Sequence, residues 1–351
     1  MTAPDIGITI SFQRHEALGE TWDRVYAEAL ELAAEADRLG FRSIWVSEHH
    51  GEEDGYCPSP IVAGAALSRA APNCLIGQGI AIAPLYGHPL RLAEDLAVLD
   101  NMSGGRLQIG LGQGYRPEEF AAYGQNYRQR TRAFEEALDI LNLAWTGERF
   151  DYQGELHQVS GGLLRPAPVS PGAPPLWLGA AAPASRARAI RHRAGLLIAP
   201  LIELEHAARQ FADYDLNADQ AGTGNLPHAL MREVMIADSF EEAVADHAAS
   251  LDLVYRQQYA PSRTGLTRKD PDTGERVPLT LDDPYYLSEE FMQERWFVGA
   301  PEQIAEKLGR WQERMNLRHF IWQPKPPGLP LAKAVRSLER MAKEVMPRLV
   351  G

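Results

Sequence analysis

FRSIWVSEHHG, residues 41–51, passes through Ile44, Trp45 and Val46 and then delivers Glu48, His49 and His50 in succession. Branched and aromatic side chains at its centre suit a covered strand, and Gly40 before it suits a helix stop. A strand that is apolar along its length and turns ionisable at its C-terminal end is where α/β enzymes hold their chemistry. Strand alternation puts Trp45, Ser47 and His49 on one face and Ile44, Val46, Glu48 and His50 on the other. The two histidines therefore serve different surroundings: one can line a pocket while the other holds the following loop.

Outward from this strand, the chain alternates. Residues 6–12 read as a first strand and 21–39 as a helix with Trp22, Val25, Ala29, Leu32, Ala33 and Ala36 at helical spacing. After 41–51 come a helix at 61–70, a strand at 75–84, a helix at 90–102, a strand at 107–114 and a helix at 131–145. Residues 146–175, rich in Gly and Pro, read as a short β excursion with a loop. The alternation resumes with strands at 176–182, 195–200, 231–237 and 319–323, and helices at 184–193, 204–215, 240–254, 301–314 and 331–349. The polar stretch 256–290 lacks helical periodicity, and a long insertion in a compact fold is read as a lid. Eight strands alternating with helices predict a closed (β/α)8 TIM barrel, an α/β fold, as one domain over 1–351 with both insertions at its C-terminal mouth. An open doubly wound sheet is the weaker alternative, because no nucleotide fingerprint occupies the first turn.

Composition narrows the function. The 351 residues are 45% hydrophobic and 23% charged with a formal charge of −12, and the pI is near 5.4. An acidic chain offers no basic face for nucleic acid. No run of about 18 apolar residues suggests a membrane span. The N-terminus lacks a basic stretch before an apolar run, so a secretory signal is not expected. Cys57 and Cys74, without C-x-x-C spacing, suit a reducing cytoplasm. Amidohydrolase-type metal barrels want His-x-His on the first strand, which here reads ITISFQRH; His49 and His50 point apart, and no metal is expected. No G-x-S-x-G elbow occurs.

Gly110, Gly112 and Gly114 lie in GLGQG at the end of the fourth strand, without G-x-G-x-x-G spacing, so a dinucleotide loop is rejected. Such glycines either let barrel strands pack closely or let a flat ring approach the backbone. Gly77 and Gly79 repeat the theme on the third strand. Beside a histidine-bearing strand end, they point to a planar ligand across the mouth. Pro183, Ser185 and Arg186 suit the first turn of a helix whose free N–H groups can take a phosphate. Ser185 as a plain helix residue and Arg186 as a solvated charge is the alternative. His15, Tyr86, His88 and Trp322 fall near strand ends and could reach the mouth.

SIWVSEHHG, with AEDLAVLDNMSGGRLQIGLGQGYRPEEFAAYG at 93–124, resembles the bacterial luciferase-like flavin-dependent monooxygenases over essentially the whole chain. The resemblance implies a (β/α)8 barrel, commonly a homodimer, that binds FMN or, in one branch, the deazaflavin F420 at its mouth. It implies that His49 is the catalytic histidine, hydrogen-bonding the flavin or moving a proton. It places a non-prolyl cis peptide near Gly79-Ile80 under the ring, with Gly112 and Gln113 in the segment after the fourth strand. Luciferase has a phosphate-binding arginine there, so Gln113 is a departure. The phosphate region maps onto Ala180, Ala181, Ser185 and Arg186. The expected function is FMN-dependent oxygenation of a small organic substrate with O2, reduced flavin coming from a separate reductase because no NAD(P)H signature is seen. An F420-dependent dehydrogenase or reductase, or a flavin-binding barrel without turnover, are the alternatives. Glu48 and His50 are read as supports of the loop.

Overall fold

The computed structural model describes residues 3–170, 172–180, 182–270 and 273–349, apart from the side chains of Ser262 and Arg263. Eight parallel strands close into a barrel: β1 (Asp5–Ile10), β2 (Ser43–Val46), β3 (Leu75–Gln78), β4 (Leu107–Gly112), β5 (Leu176–Gly179), β6 (Gly195–Ile198), β7 (His228–Arg232) and β8 (Leu317–Trp322). Ile8 lies opposite Ile44 across β1 and β2, and opposite Trp322 across β1 and β8, so the first and last strands complete the ring. After Gln78 the third strand breaks at Gly79-Ile80 and resumes as Ala81–Ile82 beside Leu111 and Gly112.

Helices α1 (Trp22–Arg38), α2 (Pro60–Ala70), α3 (Pro89–Ser103), α4 (Arg130–Ala144), α5 (Pro183–Arg191), α6 (Leu204–Gln220), α7 (Pro301–Met315) and α8 (Leu331–Arg340) surround it. Helix α1 shows why the pattern works. Val25, Ala29, Leu32, Ala33 and Ala36 recur at three- and four-residue steps and are all buried. Gly40, at φ +85°, then takes the left-handed conformation that turns the chain into β2.

Two apolar layers follow from strand alternation. Ile8, Ile44, Val46, Leu111 and Phe320 face outward under the helices. Trp45, Trp177, Leu197, Ala229, Met231 and Ile321 fill the barrel interior. The Trp45 and Trp177 rings stand 6.0 Å apart at 83°, and His319 lies 5.8 and 5.1 Å from them. Glycine is required beside this plug: a Cβ on Gly77 would lie 2.2 Å from the Trp45 ring. A Cβ on Gly110 would lie 1.8 Å from the Gln78 carbonyl oxygen, so β3 and β4 could not approach. Close strand packing, the plainer of the two readings of these glycines, accounts for both positions.

The seventh strand departs from the sequence pattern. Residues 231–237 span two elements: β7 ends at Arg232, and Val234–Ile236 pairs with Phe297–Gly299 in a separate parallel ladder. The wholly buried Arg232 explains the break. It donates to the carbonyls of Ala199, Met231 and Ile202, fastening the strand end to the loop after β6. Consequently the barrel helix after β7 is α7, and residues 240–254 belong to an excursion between β7 and α7. That excursion has its own core of Met235, Tyr255, Phe291, Trp296 and Val298 among others. Nor is 256–290 without structure. A π-helical segment, Asp252–Gln258, leads to Pro261–Thr264 and to a ladder between Thr267–Lys269 and Arg276–Pro278. The apolar anchors of this region are aromatics spaced too irregularly to show a period. Within 146–175, Phe150–Gln153 pairs antiparallel with Gln158–Gly162.

Candidate functional site

At the C-terminal end of the barrel the inward faces stop being apolar plug and become small or polar. Gly79 sits on the plug, its Cβ direction meeting Met231 and Trp45. The Gly79-Ile80 peptide is cis, as the resemblance implied. Ile80 lies across the mouth: a Cβ on Gly179 would meet it at 2.2 Å and one on Gly112 at 3.4 Å. Gly179 and Ala199 are exposed and Gly112 and Ile80 half-buried, although Trp177 and Leu197 just below are buried. Ser47 donates to the Gly79 carbonyl at 2.7 Å, and Gln323 donates to Ser11 at 2.8 Å. The mouth thus has a smooth, open half made by β3 to β6 and a hydrogen-bonding half made by β8, β1 and β2.

His49 stands on the second half. Its Nδ1 lies 2.8 Å from Glu119 Oε1, and the same oxygen accepts the His50 amide at 3.1 Å. Glu119 comes from the short helix Pro117–Ala122, which starts just past β4. Arg116 holds this carboxylate from 4.0 Å and also pairs with Glu52. Burial pushes the His49 imidazole below its ordinary pKa of 6.5, against the pull of Glu119. Burial also opposes ionisation of Glu119, but the bonds from His49 and His50 and the charge of Arg116 hold it below the usual carboxylate value. The contact has an ion-pair distance, yet burial is the larger influence on His49. Burial thus favours the neutral imidazole, and the 2.8 Å contact suits Nδ1 as donor to the carboxylate. Among the described residues, Nε2 of His49 has no hydrogen-bond partner.

Three tyrosines border that ring: Tyr56 at 4.8 Å, Tyr115 at 5.8 Å and Tyr259 at 6.2 Å between centroids. The Arg116 guanidinium lies 5.6 Å from both the Tyr115 and the Tyr259 ring. A cleft of about 150 Å³ opens here, lined by Tyr115, Arg116, Gln258, Tyr259 and Thr264. A wider, shallow recess of about 690 Å³ on the excursion, lined by Tyr285 and Gln293 among others, borders none of these residues.

His50 differs. Its Nε2 meets Glu48 at 2.7 Å and its Nδ1 meets the Tyr123 hydroxyl at 2.9 Å. Glu48 also accepts the Ile82 amide at 2.7 Å and the Tyr86 hydroxyl at 3.4 Å, which ties the resumed third strand to β2.

The other expected residues scatter. Gln113 accepts from Thr131 of α4 at 3.0 Å. Ala180 is buried, and Ala181 lies outside the described residues. Ser185 sits in the first turn of α5, its amide donating to Ala182. Arg186 reaches Asp213 of α6 at 2.7 and 3.0 Å, so its charge has a partner within the helical layer. Trp322 does not face the mouth: it is wholly buried in the outer core, and the next residue, Gln323, takes the inward position. His88 caps α3 by accepting the Leu90 amide at 3.1 Å, and His15 packs at Gly328. Tyr86 serves Glu48.

Sequence reading did not single out Glu119, Arg116, Tyr56, Tyr115 or Tyr259. Glu119 and Arg116 lie inside GYRPEEF, directly after the Gly-rich strand end. Their position, one loop from His49 in a barrel whose β2 and β4 flank β3, was the available signal.

A family model described as luciferase-like monooxygenase matches residues 5–316. The oxygenase component of the flavin-dependent trigonelline monooxygenase of Acinetobacter baylyi is 26% identical over 336 residues, covering 93% of this chain and 91% of that one. The F420-dependent glucose-6-phosphate dehydrogenase of Nakamurella multipartita is 25% identical over 335 residues, with 92% of each chain covered. The oxygenating constituent of the 3,6-diketocamphane monooxygenase of Pseudomonas putida, solved in complex with FMN, superposes with a TM-score of 0.78. It is 21% identical and the match covers 99% of this chain and 100% of that one. No helix among the described residues is long and apolar enough to cross a membrane.

Proposed function

The chain belongs to the luciferase-like monooxygenase family, and from that premise we propose that it is the oxygenase component of a two-component system using reduced FMN and O2. The observation that carries this reading is the half-smooth mouth: Gly179 and half-buried Gly112 beside Ile80 at the strand ends, with His49 of the neighbouring β2 end keeping Nε2 without a hydrogen-bond partner among the described residues. A flat ring fits such a surface: no side chain rises from Gly112 or Gly179, and a Cβ on Gly179 would lie 2.2 Å from Ile80. Gly79, Ile80 and Gly112 would hold the ring, and the first turn of α5 with Ser185 would hold the phosphate. The cation of Arg186 is shared with Asp213, and Gln113 contributes a neutral amide.

Reduced FMN, when bound, supplies the two electrons that let one oxygen atom of O2 enter an organic substrate while the other leaves as water. The protein's own part is placement, dryness and one proton. His49 presents Nε2 as an acceptor, in the protonation state burial dictates. Half-buried Tyr56 and Tyr259 shield the imidazole with aromatic surface, and the exposed Tyr115 stands at its outer edge. The described part of 256–290 forms the lid, with Gln258, Tyr259 and Thr264 at the wall of the cleft. A separate reductase is supported by the relative that is itself an oxygenase component.

The test is anaerobic titration of the full chain with reduced FMN and, in parallel, with reduced F420, followed by admission of air in the presence of candidate substrates. Binding of reduced FMN and O2-dependent formation of an oxygenated product support the reading. Binding of reduced F420 alone, with O2-independent substrate reduction or oxidation, replaces it with the dehydrogenase reading that the glucose-6-phosphate dehydrogenase relative favours. Binding of either without turnover leaves a flavin-binding barrel.

A further inference from the structure

We propose that Glu119 is the positioning residue of this site, fixing His49 in the tautomer with hydrogen on Nδ1 so that Nε2 faces the barrel mouth as a proton acceptor. The inference deepens the flavin-oxygenase reading and rests on it for its consequence in catalysis, but not for the tautomer itself.

The argument is one of valence. An ionised carboxylate only accepts hydrogen bonds, so the nitrogen 2.8 Å from Glu119 Oε1 must carry the hydrogen. A neutral imidazole has one N–H, which leaves Nε2 with its lone pair. The surroundings keep both halves of this statement in force. Arg116, itself paired with Glu52, lies 4.0 Å from the carboxylate and favours its charged form. Apolar and aromatic burial favours the uncharged ring. The same Oε1 accepts the His50 amide, so the carboxylate is referenced to the backbone of the strand end and the ring cannot swing without losing it.

The alternative is that Glu119 merely fills space or fastens a helix. Its partners argue otherwise. Oε2 of Glu119 has no hydrogen-bond partner, and both bonds of Oε1 go to residues 49 and 50, about seventy positions upstream. A carboxylate 1% exposed carries a large desolvation cost unless it is paired and hydrogen-bonded, and its hydrogen bonds here go to residues 49 and 50. In serine hydrolases a buried aspartate does this for its histidine, setting tautomer and orientation without taking the proton.

The experiment uses the full chain with 15N-labelled histidine, the His49 signals being assigned by their loss in H49Q. The parent should show a protonated-type signal at Nδ1 and a bare, acceptor-type signal at Nε2 at neutral pH. In E119A and E119Q the hydrogen should move in whole or part to Nε2. With reduced FMN supplied, product formation should then fall about 10- to 100-fold, the size of effect that losing the outer partner has on metal-bound histidines. Flavin affinity should stay unchanged, and E119D should restore the tautomer and part of the rate. A parent with hydrogen on Nε2 overturns the proposal without any Glu119 variant having to fold. So does E119A with the parent's tautomer, or E119Q with the parent's rate. A parent with hydrogen on Nδ1 that oxygenates nothing supports the positioning role and sinks the functional reading instead.

Discussion

His49 and His50 are neighbours, and each lies against a buried glutamate, at 2.8 Å and 2.7 Å. His50 is saturated: both ring nitrogens are engaged, and its glutamate is two residues away. His49 keeps one nitrogen open, and its glutamate is on another loop. Residue type, burial and partner chemistry are nearly the same. What differs is the unsatisfied valence and the face of β2 on which it appears. A saturated histidine can only hold structure together, whereas an open one can exchange a proton with something that arrives.

Exchanging the two roles is the most drastic way to break this comparison. His49→Ala should lower product formation by about 10²- to 10⁴-fold, the range a positioned acid–base group contributes. Stability should fall as well, by about 1–3 kcal/mol, since buried Glu119 loses its Nδ1 donor. His50→Ala should cost stability alone. It leaves Glu48 and the Tyr123 hydroxyl without their shared partner, at a cost of about 1–3 kcal/mol. Product formation at saturating substrate should stay near the parent's. Steady-state rates and urea unfolding on both variants decide this. Equal losses of rate would mean the two histidines work as one unit.

The sequence made half of this contrast visible. Alternation separates 49 from 50, and it also separates Trp45 from Ile44 and Val46, because a two-residue period in a covered strand leaves no choice of face. The eight-strand count was readable for the same reason. The seventh strand was displaced because His228 to Arg232 and Val234 to Ile236 are both β-forming, and only the burial of Arg232 against carbonyls divides them. Trp322, which by its strand-end position could reach the mouth, lies in the outer core, and Gln323 one residue on takes the inward face. Glu119 stayed out of sight for a different reason: its pairing is made by barrel closure across about seventy residues, and no local pattern records it.

A smaller test sharpens what encloses His49. Asp54, from the loop after β2, accepts from Gln13 at 2.6 Å and from Gln258 of the proposed lid, and Gln13 also reaches Gln258 at 2.6 Å. This carboxylate draws three loops together beside Tyr56 and Tyr259. Asp54→Ala should weaken the attachment of the lid by about 1–3 kcal/mol, the cost of stranding its buried amide partners. Faster hydrogen exchange over residues 252–269 and a raised KM with near-parental stability of the barrel are the expected readouts. Unchanged exchange there would show that aromatic packing alone seats the lid. The environment of His49 would then not depend on this latch, as that of His50 does not.

The smallest effect concerns charge. Burial holds the His49 pKa below 6.5, so the unfolded chain takes a proton that the folded one refuses. In that interval the unfolded state binds more protons and stability rises with pH. The contribution is therefore whole above about pH 6.5 and is lost as the pH falls toward the folded value. His319, pushed down to about 4 by burial in the barrel plug, acts with the same sign. Glu233, pushed up to about 7 by burial beside Tyr255, acts with the opposite sign over the same range. Only the difference between parent and variant isolates His49. His49→Gln keeps a donor for Glu119 and removes the titration, so its stability should fall less steeply than the parent's between about pH 7 and pH 5. The difference is limited to about 1.4 kcal/mol for each unit of depression. Urea midpoints across that range measure it. Parallel curves would mean that the folded protein does not hold this imidazole neutral, and the donor–acceptor assignment at Nδ1 would lose its electrostatic support.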